Sequence, residues 1–128
     1  MLKKKALEKE KTGNWAEKKE YYNCAVSCLY YSIFLRLKHT FKNNNINVDI
    51  LGKDSHISVI AAAENYFYEN HIYNNNSCQD YAQITKLYIL KNHRIAADYK
   101  EIDYDRKKYS KFKYTYDLID EALKNNGI

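Results

Sequence analysis

The sequence predicts an all-α fold, an antiparallel four- to five-helix bundle forming a single domain over residues 1–128. Three observations lead there. Proline is absent and glycine occurs only three times in 128 residues, whereas sheets, barrels and doubly wound folds normally need more of both at their turns. Apolar residues recur at a 3–4 spacing over long stretches, the mark of amphipathic helices. Asparagine-rich polar stretches separate them and read as loops. Hydrophobic residues make up 45% and charged residues 29%, a balance that builds a core and excludes wholesale disorder. A chain of this size hides roughly two thirds of its unfolded surface.

The elements follow in order. A first short helix runs from Leu2 to about Lys11, and Thr12-Gly13-Asn14 breaks it, with Gly13 as the left-handed residue of a helix end and Asn14 as the next N-cap. The second helix carries the strongest pattern, with Tyr22, Ala25, Val26, Leu29, Tyr30, Ile33, Phe34, Leu37 and Phe41 forming one wide apolar stripe. Residues 43–54 form a polar loop containing Gly52. The third helix starts at Asp54 or Ser55 and carries Ile57, Ile60, Ala61, Glu64 and Phe67. Residues 70–76 read as a second loop. Ser77-Cys78-Gln79-Asp80 resembles a capping box that opens a fourth helix through Ile84, Leu87, Tyr88, Lys91, Arg94 and Ala97. Asp103 or Asp105 caps a fifth helix with the stripe Phe112, Tyr116, Ile119, Ala122 and Leu123, and Gly127 stops it.

Composition also excludes several classes. Three cysteines are too few, and an odd number, for a disulfide scaffold. Cys24 and Cys28, four apart, share a helix face and pack as small apolar side chains; two thiolates alone make no metal site. Neither a metal nor a cofactor is expected. The basic start Met1-Leu2-Lys3-Lys4-Lys5 has no apolar run behind it, so no signal peptide is read, and no stretch reaches the roughly 20 apolar residues of a membrane span. A cytoplasmic setting without membrane contact is the expectation. The formal net charge is +5, which permits a nucleic-acid or nucleotide partner without demanding one.

Three segments carry a family likeness. They are Tyr22-Asn23-Cys24-Ala25-Val26-Ser27-Cys28-Leu29-Tyr30-Tyr31-Ser32-Ile33-Phe34, then Ser55-His56, then His93-Arg94-Ile95-Ala96-Ala97-Asp98-Tyr99. In order and spacing they resemble the HEPN superfamily (higher eukaryote and prokaryote nucleotide-binding domains), in its small prokaryotic branch with a Tyr-Tyr helix and an Arg-x-x-Ala-Asp-Tyr helix end. The resemblance covers about Lys4 to Leu123. It implies a helical bundle of HEPN type, a homodimer, and a place in a toxin–antitoxin pair with a small nucleotidyltransferase antitoxin, or in an antiviral defence complex. It also implies RNA or a nucleotide as ligand.

Many members of that family are metal-independent ribonucleases with an Arg followed, after four to six residues, by a His. Here the positions that far beyond Arg94 are Tyr99, Lys100 and Glu101. Cleaving RNA through its own 2′-OH needs a group that exchanges protons near neutral pH, and His does so with a pKa of about 6.5. Tyr at about 10 and Lys at about 10.4 do not. His93 adjoins Arg94, but helix neighbours point about 100° apart. The catalytic candidates are therefore Arg94 and His93, and the sequence leans away from an enzyme.

The binding candidates are Arg94, Asp98, Tyr99, Lys91, Tyr31 and His56. Arg94 and Asp98 stand four apart, so Asp98 either forms a simple intrahelical pair or holds the guanidinium for a phosphate. Tyr99 either closes the helix end or stacks on a base. Tyr30 falls on the core stripe, and Tyr31 beside it packs in the core or faces a partner. His56 reads as a local hydrogen-bonding residue or part of the site; His39 and His71 read as solvated. Residues 1–20 and 100–113 each carry a net charge of +3, and the second stretch interleaves Tyr104, Tyr109 and Phe112. Such a stretch suits a phosphate backbone or is a solvated face.

Three functions stay open at this stage. The first is an HEPN-like binding module without the ribonuclease motif. The second is an endoribonuclease toxin that uses Arg94 with a substitute proton carrier. The third is a structural helical partner subunit with no ligand.

Overall fold

A computed structural model describes residues 1–48, 55–74 and 78–128, with side chains of 71–74 left aside. Among these residues the fold is all-helical. It comprises α1 (Leu2–Lys18), α2 (Tyr22–Asn43), α3 (Ser55–Asn74), α4 (Cys78–Ile84), α5 (Leu87–Tyr99) and α6 (Arg106–Asn125). The stripe read for the second helix forms the centre of the core: Ala25, Val26, Leu29, Tyr30, Ile33, Phe34, Leu37 and Phe41 are all buried. Each large apolar side chain so buried contributes about 1.5–3 kcal/mol. From α6, Phe112, Tyr116, Ile119, Ala122 and Leu123 close on it. The helix α2 packs on α1, α3, α5 and α6, while α4 packs on α3 and α6.

The first helix does not stop at Lys11. It runs through Gly13 to Lys18, and Gly13 serves a different purpose. A Cβ there would sit 2.7 Å from Leu29 Cγ and Cδ2. Glycine is needed because α2 lies directly on the α1 backbone, not because the chain turns. Asn14 accordingly lies mid-helix and caps nothing. The reversal comes at Glu20, at φ +62. The Tyr21 N–H donates to Ala16 O (2.9 Å) and the Glu20 N–H to Glu17 O (3.0 Å), the paired bonds of a Schellman ending. The same pattern ends α2 at Asn45 (φ +58) and α6 at Gly127 (φ +74). Gly127 thus performs the stop expected of it.

Asp105, not Asp103, caps α6, accepting the Lys108 N–H at 2.8 Å. The expected fourth helix is two segments. At Thr85 the side-chain hydroxyl donates to Ala82 O (2.6 Å) and the Lys86 N–H reaches Gln83 O (3.0 Å). These local bonds compete with the α-helical ladder and separate α4 from α5. The α3 backbone extends to Asn74, through most of the stretch expected to be a loop. Asp54, Gly52 and the Ser77 cap lie outside the described residues, as does the side chain of His71. Asp80, the other half of the expected capping box, accepts from the amides of Asn125 (3.4 Å) and Asn126 (3.2 Å), so it ties α4 to the end of α6.

Two polar contacts fix helix pairs. Tyr109 of α6 donates its hydroxyl to Glu17 of α1 at 2.6 Å. Arg36 of α2 pairs with Asp120 of α6, which Lys124 also reaches at 3.0 Å. Burial opposes ionisation of Asp120, yet the bonds from Arg36 and Lys124 outweigh it and hold the carboxyl below its ordinary value.

Candidate functional site

Arg94 lies on the inward face of α5 with Leu87 and Leu90. It is only 6% exposed, an unusual position for a charged side chain. Its guanidinium carbon sits 5.5 Å from the ring centre of Tyr30, 5.6 Å from Tyr31 and 5.7 Å from Tyr99. Its Nε is buried and, among the described residues, meets no hydrogen-bond acceptor. Cation–π contacts of this kind contribute about 0.5–2 kcal/mol. They do not satisfy an N–H, and an orphaned buried donor costs about 1–3 kcal/mol. Native folds rarely keep such a group without a use for it.

The walls come from three helices. On α2 the adjacent Tyr30 and Tyr31 meet edge-on at 5.6 Å, and Phe34 lies one turn further along. From the first turn of α3, His56 stacks on Phe34 at 4.3 Å and shares a 2.8 Å hydrogen bond with the Tyr30 hydroxyl through Nδ1. That bond gives the buried phenol its partner. Tyr99, at the end of α5, is 74% exposed and forms the outer wall. Two further cations touch the same rings: Lys9 of α1 lies 5.9 Å from Tyr31, and Lys38 lies 6.0 Å from Phe34.

Of the candidate residues, Arg94, Tyr99, Tyr31 and His56 come together here. Lys91 is half-buried one turn before Arg94 on α5. Asp98 does not hold the guanidinium. Among the described residues it makes no ion pair with Arg94, and its carboxylate instead accepts the Ser27 hydroxyl at 3.2 Å. His93 turns to the other flank of α5. Its Nδ1 shares a 2.7 Å bond with the Tyr104 hydroxyl, and its ring meets Phe112 at 5.6 Å edge-on. Burial lowers the His93 pKa below 6.5 and raises that of Tyr104. The imidazole next in sequence to Arg94 is thus a packing residue of the α5–α6 contact.

Asn23 was not singled out from the sequence, yet it positions the site. Its amide donates to Ala97 O (3.0 Å) and Ile102 O (2.8 Å), and its carbonyl oxygen accepts the Tyr104 N–H (2.8 Å). One side chain therefore satisfies a carbonyl in the last turn of α5 and pins the segment that follows. The signal available was a polar residue at the edge of the α2 stripe. Lys9 and Phe34 were also missed as wall residues. Phe34 stands one turn from Tyr30 and is legible by spacing, whereas Lys9 arrives only through the α1–α2 packing.

Cys24 and Cys28 bring their sulfurs to 4.0 Å. Burial, then the neighbouring Cys24, pushes the Cys28 thiol up to about 11, which keeps it protonated. Among the described residues no group of three or more His, Cys, Asp or Glu side chains is arranged to hold a metal ion, and no helix is long and apolar enough to cross a membrane.

The arrangement offers two things chemically. A guanidinium with unmet donors grips phosphate or carboxylate oxygens. The rings beside it offer stacking faces to a planar group. Comparison with family models, with curated proteins and with solved structures finds no match to this chain.

Proposed function

We propose that this chain is an HEPN-like module that binds RNA or a nucleotide at Arg94, between Tyr30, Tyr31 and Tyr99. The supporting observation is the guanidinium itself, nine-tenths buried, ringed by aromatic faces, with an Nε that none of the described residues satisfies. A phosphate oxygen would supply that bond, and a base would stack on Tyr99 or Tyr31. The family likeness of the Tyr-Tyr helix and the Arg94–Tyr99 segment adds a biological setting. That setting is a homodimer in a toxin–antitoxin pair with a nucleotidyltransferase antitoxin, or in an antiviral defence complex. The outward face of α5 at exposed Tyr88 is the face we assign to the second copy.

Fluorescence anisotropy with labelled single-stranded RNA tests the reading. Wild type is expected to bind with strong salt dependence, and Arg94→Ala to lose that binding while keeping its helical circular dichroism. Binding that ignores Arg94 would remove the assignment.

A second reading is a metal-independent endoribonuclease. It is favoured by one observation: His56 touches Tyr30 and Tyr31, the rings that hold Arg94. In that case Arg94 stabilises the charged phosphorus centre and His56 moves the proton, a role His93 does not fill because its ring packs on Tyr104 and Phe112, away from the rings around Arg94. Intact RNA after prolonged incubation with purified protein, with no growth defect on expression, excludes this second reading.

A further inference from the structure

We infer that the Arg94 pocket is one end of a track along α2, and that its ligand is a single-stranded nucleic acid of about five nucleotides rather than a mononucleotide. This rests on the reading of Arg94 as a phosphate anchor. Tyr31, Lys38 and Lys42 follow one another at intervals of seven and four residues, so they share one face of α2. Cations meet rings at its start, with Arg94 and Lys9 on Tyr31 and Lys38 on Phe34, and Lys42 follows one turn beyond Lys38. Beyond Phe34 the face opens into a cleft of about 700 Å³, lined by the ammonium groups of Lys38 and Lys42 and by the imidazole of His39. Among the described residues its remaining polar lining is asparagine, from Asn43, Asn45 and Asn47. Asp98, bonded to Ser27, lies at the opposite end of the track.

The lengths agree. At 1.5 Å per residue, Tyr31 to Lys42 spans about 16 Å. A stacked strand rises about 3.4 Å per nucleotide, so about five nucleotides reach from one end to the other. A row of cations that begins at the accessible Tyr31 ring suits a single strand with a stacked terminal base, and that ring is wasted on a peptide of acidic side chains. A mononucleotide would use Arg94 and leave the cleft empty.

The test is anisotropy with fluorescein-labelled oligouridylates and oligothymidylates of two, four, six and ten nucleotides, using the full chain. Affinity is expected to climb with length and level off near six. The Lys42→Gln variant is expected to weaken the hexamer about threefold and to reduce the salt slope by about 0.7, the value for one phosphate contact. The dinucleotide should be unaffected, and Arg94→Ala should weaken every length. Equal affinity for dimer and hexamer, with Arg94 still required, overturns the track alone. Binding that ignores Arg94, or no binding at any length, overturns the track together with the anchor. Displacement of the hexamer by polyglutamate at equal charge also overturns it, because a stacked strand would not yield to charge alone. Ribose and deoxyribose arms that match assign recognition to phosphate and base; a preference for ribose adds a 2′-OH contact to the same track.

Discussion

Gly13 of α1 lies directly under Leu29 of α2, close enough that a methyl group on Gly13 would fall 2.7 Å from the leucine Cγ. The contact joins the helix that supplies Lys9 to the one that supplies Tyr30 and Tyr31. Gly13→Ala should gain about 1 kcal/mol of helix propensity and lose more through overpacking, about 1–3 kcal/mol. A fall in Tm of roughly 5 °C is expected from thermal circular dichroism. Adding Leu29→Ala should make the Gly13→Ala step favourable, and a double-mutant cycle measures that coupling.

Asn23 holds three main-chain groups at the end of α5. Asn23→Ala leaves them without protein partners and should cost about 2–4 kcal/mol. Hydrogen exchange gives a more local check. The Tyr104 amide should lose its protection in the variant while the amides of central α2 keep theirs.

Arg94 is a buried charge with an unpartnered Nε among the described residues, which costs the fold stability. Arg94→Met keeps most of the side-chain volume and removes the orphaned donor, so stability should rise by about 1 kcal/mol while nucleic-acid binding disappears. Chemical denaturation and anisotropy on the same preparation read both. A loss of stability in Arg94→Met would show that the three ring contacts outweigh the buried charge.

His93 gives a pH dependence. Burial lowers its pKa in the folded chain below the ordinary 6.5, so the unfolded chain binds the proton more readily. Stability is then complete above pH 6.5 and declines as pH falls through the folded value. His93→Gln, which keeps a hydrogen-bonding partner for Tyr104, should flatten the stability profile between pH 7 and pH 5. RNA binding by this variant at pH 7.5 should match wild type, because the imidazole faces α6 and not the Arg94 pocket.

Glu20 occupies a left-handed position at φ +62, where a side chain costs about 1 kcal/mol or more. Its ion pair with Arg106, at 3.5 Å, joins two largely exposed groups and contributes little. Glu20→Gly should therefore raise the denaturation midpoint by an amount worth roughly 0.5–1 kcal/mol, with no effect on binding.

Much of the fold was legible in the residues. The 3–4 stripe from Tyr22 to Phe41 and the one from Phe112 to Leu123 are long enough that only a helix buries either on one side, and both are buried. Arg94, Tyr99, Tyr31 and His56 were named together only through the family resemblance, because spacing along one helix says nothing of residues on α2, α3 and α5. Two expectations that met a competing force failed. Gly13 reads locally as a helix stop, but the nearness of Leu29 gives it another use. Thr12-Gly13-Asn14 therefore stays helical at a propensity cost that the α1–α2 packing offsets. The chain turns at Thr85 and Lys86, where the apolar pattern would have carried a helix through, and the Lys86 N–H reaches Gln83 O instead of continuing the ladder.

The chain's sequence by itself determined that it is helical and which faces of α2 and α6 are buried, because periodicity is a local property that each helix carries alone. Only the tertiary structure decided that Arg94 turns toward the α2 rings while His93 turns toward Tyr104, that Asp98 bonds to Ser27, and that Asn23 clamps the end of α5. Those choices depend on which neighbour satisfies each polar group once water has been removed, and the neighbours lie 11 to 81 residues away.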